Sequence, residues 1–257
     1  MATYSFKAAR QCVLETVRRH VAPPAVEEVD LLEAAGRVLA EDILADRDYP
    51  PAARSIRDGY AVRAADVPGE LTVLGEVRAG ESFTGEIGPG QAMEIMTGAA
   101  LPPGADAIVM VEFTTRNGDR MTTNHQAAPG EFVNPQGSEA RKSDVVIPQG
   151  RRLGFADIAM IATVGRPRVQ VYLPPRVAIL ATGDELVEIE EEPASSQVRN
   201  SNSRSLAVQV RRAGGLPHIL PVARDNLEST RERIAEGLLY DLLLLSGGVS
   251  AGKYDLV

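Results

Sequence analysis

Residues 241–255 read Asp-Leu-Leu-Leu-Leu-Ser-Gly-Gly-Val-Ser-Ala-Gly-Lys-Tyr-Asp, and this stretch constrains the fold most. Four consecutive leucines are apolar on every side, as a strand covered on both faces of a parallel sheet must be. At Ser246 the run breaks into Gly247, Gly248 and Gly252, which can turn the backbone sharply and present N–H groups. Ser246 and Ser250 add hydroxyls, Lys253 a positive charge and Asp255 a carboxylate. A buried strand ending in such a loop suits an anion such as phosphate at the carboxyl end of a sheet. An ordinary glycine-rich turn is the competing reading, because a single motif of this kind is weak.

The preceding residues supply the rest of a parallel unit. Residues 177–181 (Val-Ala-Ile-Leu-Ala) form a second apolar strand ending in Thr182-Gly-Asp-Glu185. A helix is expected over 203–213, with Leu206, Val210 and Ala213 on one side and Gly214-Gly215 ending it. A strand follows over 218–222, then Ala223-Arg-Asp-Asn226 and a helix over 227–239. The right-handed crossover rule makes the strands of this β-α-β-α-β run parallel, with their carboxyl ends together. Asp184, Glu185, Asp225 and Asp255 should therefore gather beside the glycine loop. Such a group of carboxylates makes sense near phosphate when Mg²⁺ lies between them. Either Asp225 or Asn226 could instead cap the second helix, and residues 200–203 are capping or loop residues first. His218 falls within a strand and reads as structural, whereas His125 lies in a polar loop without an evident partner.

Upstream, residues 5–20 have the pattern of an amphipathic helix, capped by Ser5 and apolar at Phe6, Ala9, Val13 and Val17. Cys12 reads there as a small apolar filler, or more remotely as a reactive thiol. A short helix over 30–36 and an extended segment over 37–45 follow. From Tyr49 onward, β-like runs at 71–74, 92–96, 107–113, 120–123 and 145–147 alternate with glycine and proline turns, the signature of a compact β insert. Residues 153–163 return to helical spacing. The fold class expected is multi-domain α/β plus β. It comprises a discontinuous helical part (1–46 and 147–173), a β-rich insert (47–146) and a three-layer α/β domain with a parallel sheet (174–257).

Composition excludes several classes. A net charge of −8 and an aromatic content of 4% argue against a nucleic-acid-binding face. One cysteine rules out an internal disulfide or a cysteine-based metal site. No apolar run approaches the roughly 20 residues of a membrane span, and the first residues lack a secretory pattern. A cytoplasmic location is the expectation. Within the insert, Arg54, Arg57 and Arg63 beside Asp58 are more charged than a hairpin turn needs, and a surface ion-pair cluster is the plain reading.

Five motifs then occur in order: Asp-Gly-Tyr-Ala-Val-Arg (58–63), Met-Thr-Gly-Ala (96–99), Pro-Pro-Gly-Ala-Asp-Ala (102–107), Ala-Thr-Gly-Asp-Glu-Leu (181–186) and Ser-Gly-Gly-Val-Ser (246–250). Together they resemble the molybdopterin molybdenumtransferase family, bacterial MoeA proteins and the E domain of gephyrin. The resemblance implies insertion of molybdate into adenylylated molybdopterin with release of AMP, dependent on Mg²⁺. It maps the family's functional acids onto Asp58, Glu185, Asp225 and Asp255, the last three as metal ligands. A further family acid falls on Glu139, where a longer side chain replaces aspartate. Thr97 and Gly98, with Ser246, Gly247, Gly248, Val249, Ser250 and Gly252, would contact substrate. The resemblance also implies a homodimer whose cleft lies between subunits, and the upstream molybdopterin adenylyltransferase as a partner. Family members continue beyond the motifs found here, so the 257 residues are expected to be part of a longer chain. The alternatives are a non-catalytic pterin- or nucleotide-binding scaffold, or another molybdopterin-binding protein such as the adenylyltransferase.

Overall fold

The computed structural model describes residues 4–247. The chain divides into two compact units, one built from Met1–Glu41, Gly150–Ile158 and Arg168–Val257, the other from Asp42–Gln149 and Ala159–Pro167.

In the first unit, the parallel α/β arrangement is present. Arg176–Ala181 is the central strand, paired in parallel with Leu216–Ile219 on one side and Leu242–Ser246 on the other. Alternation along the central strand sends its side chains to both faces. Val177 and Ile179 pack with Val210 and Leu206 of the Ser201–Ala213 helix; Ala178 and Leu180 pack with Leu220, Ala223 and Ile234 of the Leu227–Gly237 helix. A helix therefore covers each face of the sheet, which is the three-layer arrangement expected. The strand expected over 218–222 runs instead from Leu216 to Ile219, because Pro221 cannot donate to a ladder and the chain turns away after Leu220. His218 packs against the ring of Tyr240, with centroids 4.9 Å apart.

The leucine strand departs from expectation. Its side chains do alternate, with Leu243 and Leu245 on one face and Leu244 on the other. Yet Leu242 is 49% exposed and the next three are only partly buried. Among the described residues the strand pairs on one side only, with Arg176–Ala181.

The remainder of this unit carries an antiparallel pair that hydrophobic spacing did not reveal, Val26–Asp30 with Arg168–Tyr172. Leu39, Leu153, Val169 and Val171 are buried there. The Phe6–His20 helix forms and Ser5 caps it, its hydroxyl accepting the Ala8 N–H at 3.3 Å. Its apolar stripe does not become core, since Phe6 is 86% and Val13 61% exposed. Cys12 is exposed as well, so it fills no gap in a core. Periodicity identifies the apolar side of a helix, not whether the same chain supplies a partner for it.

The second unit is organised on a six-stranded sheet. Its order is Ala107–Met110, Gly59–Val62, Gln91–Ile95, Gly69–Val77, Arg120–Thr123 and Thr114–Asn117. All neighbours are antiparallel except Gln91–Ile95 with Gly69–Val77. Tyr60, Val62, Leu71, Val109 and Met121 form one apolar cluster, and Ala61, Met93, Ile95 and Ile108 another. The run at 107–113 is a strand only to Met110, after which Val111–Phe113 makes a 3₁₀ turn. Gly59–Val62 is wholly buried, a central strand inside the segment whose charge masked it. His125 does have partners: it stacks on Phe113 at 4.8 Å, and its Nε2 lies 2.7 Å from Glu131 Oε1.

Candidate functional site

Each unit assembles its own group of candidate residues. In the α/β unit, the three strands end at one edge, and backbone hydrogen bonds tie their loops together. The Thr182 N–H donates to the Ser246 carbonyl at 3.1 Å, and the Gly183 N–H to the Ala223 carbonyl at 3.1 Å. Gly247 turns away from this junction with φ +102°; a Cβ there would lie 2.7 Å from Thr182 Oγ1 and 2.9 Å from the Thr182 carbonyl. Only glycine lets the two loops approach so closely.

The carboxylates of this edge are held by backbone donors. The Asp184 N–H donates to Asp225 Oδ2 at 3.3 Å, and the Asp225 N–H returns a bond to Asp184 Oδ1 at 3.2 Å. Capping of the following helix falls to Asn226, whose side chain accepts the Ser229 N–H at 2.8 Å. Asp225 is thereby left for other work. The other helix starts in the same way, with Asn200 accepting the Ser203 N–H at 3.2 Å. Arg224 braces the loop by donating to the carbonyls of Asp184 and Leu186, each at 3.3 Å. Glu185 folds back over Gly183, its Oε2 lying 2.4 Å from where a Gly183 Cβ would stand. Asp184, rather than Glu185, is the direct partner of Asp225. The sequence placed Asp184 in the loop but gave no sign of this reciprocity.

Carboxylate oxygens of this kind are hard donors that match Mg²⁺ in chemistry. Among the described residues no three His, Cys, Asp or Glu side chains are gathered as a metal site. Gly248, Val249, Ser250, Gly252 and Asp255 lie outside the described residues, so the metal ligand expected from Asp255 does too.

In the β unit, Asp58 and Thr97 meet directly. The Thr97 N–H and its hydroxyl both donate to Asp58 Oδ1, each at 2.6 Å. These two bonds hold the Asp58 carboxyl below the ordinary aspartate range, the hydroxyl contributing most. Asp58 therefore has a neutral partner, and the ion-pair cluster read from the sequence does not form around it. Ser55 is the residue that sequence reasoning missed. It is buried, its N–H donates to the Ala99 carbonyl at 3.0 Å, and its carbonyl accepts the Gly98 N–H at 2.8 Å. Its hydroxyl accepts the Arg57 N–H at 3.2 Å and donates to the Arg57 carbonyl at 2.5 Å, shaping the turn into Asp58. Thr97 and Gly98 are thus fixed beside Asp58 through one buried serine. Among the described residues, Glu139 is linked to this segment only through Asn134. It accepts from the Asn134 amide at 3.1 Å, and Asn134 belongs to a short strand paired with Arg54–Ser55.

Comparison with known proteins agrees with the motifs. Residues 4–165 match the family model described as MoeA N-terminal region (domain I and II), which alone spans more than half of the chain. Residues 178–257 match the model described as Probable molybdopterin binding domain. Proteins named molybdopterin molybdenumtransferase from a Nostoc species and from Bacillus subtilis are 38% and 36% identical over 90% of this chain, which spans 55% and 56% of their lengths. The protein of that name from Staphylococcus epidermidis is 34% identical over 96% of this chain and 61% of its own length. Among solved structures, a molybdopterin biosynthesis MoeA protein from Pyrococcus horikoshii superposes with a TM-score of 0.78 at 33% identity, covering 92% of this chain and 64% of that one. The chain thus spans little more than half of the curated relatives it matches. With a family model over most of its length and a solved MoeA structure of the same fold, the chain belongs to the MoeA family.

Proposed function

We propose that the protein takes part in inserting molybdate into adenylylated molybdopterin, with release of AMP. The observation that carries this reading is the carboxyl edge of the parallel sheet. There Asp184 and Asp225 lock each other through backbone N–H bonds, beside the Ser246–Gly247 turn. Open α/β sheets bind ligands at this edge, and a site of fixed carboxylates suits a phosphate-bearing substrate accompanied by a divalent cation. The proteins it resembles carry the name of this reaction.

Asp225 and Glu185, with Asp255, would hold Mg²⁺, which supplies Lewis-acid neutralisation of phosphate charge when bound. The protein's own groups do the remaining work. The turn after Ser246 binds the phosphate or pterin side. Within the β unit, Asp58 is held ionised by the two bonds from Thr97 and is a hydrogen-bond acceptor there. Water adds to the α-phosphorus of the adenylylated substrate, the phosphoanhydride P–O bond breaks, and AMP leaves as the other phosphate stays on the pterin. Molybdate is the second substrate: both dithiolene sulfurs bond to molybdenum, and one molybdate oxygen takes up the two thiol protons and leaves as water, with no change of oxidation state. The reading includes a homodimer, an upstream adenylyltransferase as supplier of the substrate, and a cytoplasmic setting.

The test is AMP release and formation of active cofactor from adenylylated molybdopterin, molybdate and Mg²⁺. Asp225→Asn should lower AMP release at least a hundredfold while the fold persists. Wild-type binding of the substrate without AMP release would favour the scaffold reading for this chain. Normal turnover by Asp225→Asn would remove that residue from the site.

A further inference from the structure

The β unit contains an imbalance of charge partners. On its sheet, Arg63 lies within 4 Å of Asp66, Arg78 of Glu76, Arg116 of Glu94 and Arg120 of Glu70. Arg54 and Arg57 have no carboxylate within that distance among the described residues, although both flank the turn that leads into Asp58. The acids Asp58 and Glu139 are instead satisfied by neutral donors, Asp58 by Thr97 and Glu139 by Asn134. In a chain of net charge −8, cations left without counter-charges are a local reversal.

Both arginines also lie against one strip of backbone. Arg54 is in register with Asn134, and the Arg57 guanidinium lies 6.0 Å from the centroid of the Phe132 ring. Phe132 has φ +53°, a conformation uncommon for a bulky side chain. The Ile56 N–H fixes its carbonyl at 3.0 Å. Arg57 is exposed, and the one hydrogen bond its guanidinium makes among the described residues is a 3.4 Å contact with the Ile56 carbonyl, so most of its five N–H donors are open to a ligand. The Nε of Arg54 is buried with no hydrogen-bond partner. A planar fork with free donors is the group best matched to a tetrahedral oxyanion.

We propose that Arg57, supported by Arg54, forms an oxyanion-binding subsite beside Asp58 and Thr97, taking a phosphate group or molybdate. The role of that oxyanion in catalysis rests on the function proposed above; its binding does not.

The experiment titrates the whole chain separately with pyrophosphate, AMP and molybdate by calorimetry at low ionic strength. Wild type, Arg57→Ala, Arg57→Lys, Arg54→Ala and Arg78→Ala are compared, with thermal unfolding checked for each. Arg57→Ala should weaken binding about tenfold or more, as expected for loss of a charge-assisted hydrogen bond. Arg57→Lys should recover part of that loss, and Arg78→Ala, which removes a partner of Glu76, should change affinity less than about twofold. Loss confined to pyrophosphate and AMP identifies a phosphate subsite; loss confined to molybdate identifies a molybdate subsite. The proposal is overturned if Arg57→Ala binds every oxyanion as wild type does, if Arg78→Ala loses as much, or if wild type binds none. Arg57-dependent binding without AMP release would reject the proposed function and leave the subsite standing. AMP release that is indifferent to Arg57 would do the reverse.

Discussion

Thr97 spends both its N–H and its hydroxyl on a single oxygen of Asp58, at 2.6 Å each. Both bonds favour the ionised carboxyl, so their loss should move its titration upward, toward the ordinary aspartate value. In Thr97→Val the hydroxyl bond disappears and the backbone bond remains. NMR titration of Asp58 should then show a higher pKa than in wild type; an unchanged value would mean that the hydroxyl does not hold the charge. The sign for stability follows. A depressed carboxyl contributes at neutral pH, above its unfolded value, and that contribution is lost as the pH falls through the folded value. The variant should therefore show a smaller acid-side loss from this group. Sequence alone named Asp58 and Thr97 through two separate motifs. That they touch was not legible, because 38 residues intervene and only sheet pairing brings them together.

At the scale of elements, the Gly59–Val62 strand is the most demanding part of the β unit. It is buried along its whole length and hydrogen-bonded on both sides, to Gln91–Ile95 and to Ala107–Met110. A Cβ on Gly59 would stand 2.1 Å from the Val109 carbonyl oxygen and 2.9 Å from the Met110 Cα. Those are backbone atoms of a paired strand, which cannot swing aside like a side chain. Gly59→Ala should cost about 3 kcal/mol, the upper part of the overpacking range, measured by denaturant unfolding. A loss below about 1 kcal/mol would show that the strand pair slides apart readily. This strand was hidden because Asp58-Gly59 reads as a turn and arginines flank it. The α/β elements were easier. Continuous apolar runs and amphipathic helices with clear glycine ends leave few alternatives, although their limits moved by two or three residues.

Across the whole molecule, charge is the property that joins the parts. The chain carries a net −8, yet its proposed substrates are oxyanions. The proposed function and subsite call on two devices: carboxylates that would hold a divalent cation, and arginines without a carboxylate within 4 Å among the described residues. Metal removal should separate them. Treatment with EDTA should stop AMP release, and added Mg²⁺ should restore it. Oxyanion binding through Arg57 should persist without metal. AMP release that survives exhaustive chelation would show that the acids of the α/β edge work without a cation. No helix among the described residues is long and apolar enough to cross a membrane.

The sequence by itself determined the parallel α/β run, the presence of β strands in the insert and the family, but not the antiparallel pair of Val26–Asp30 with Arg168–Tyr172. Apolar periodicity reports burial directly, and five ordered motifs name the family together where one could not. It also brought Asp184, Glu185, Asp225 and Ser246 to one edge, since right-handed crossovers leave parallel strands no other arrangement. The tertiary structure decided which groups actually pair. It gave Asp225 to Asp184 and helix capping to Asn226, gave Asp58 to Thr97 instead of an arginine, and left Arg57 stacked on Phe132. Pairings of this kind depend on distances of a few tenths of an ångström between loops remote in sequence. No local pattern of residues encodes such distances.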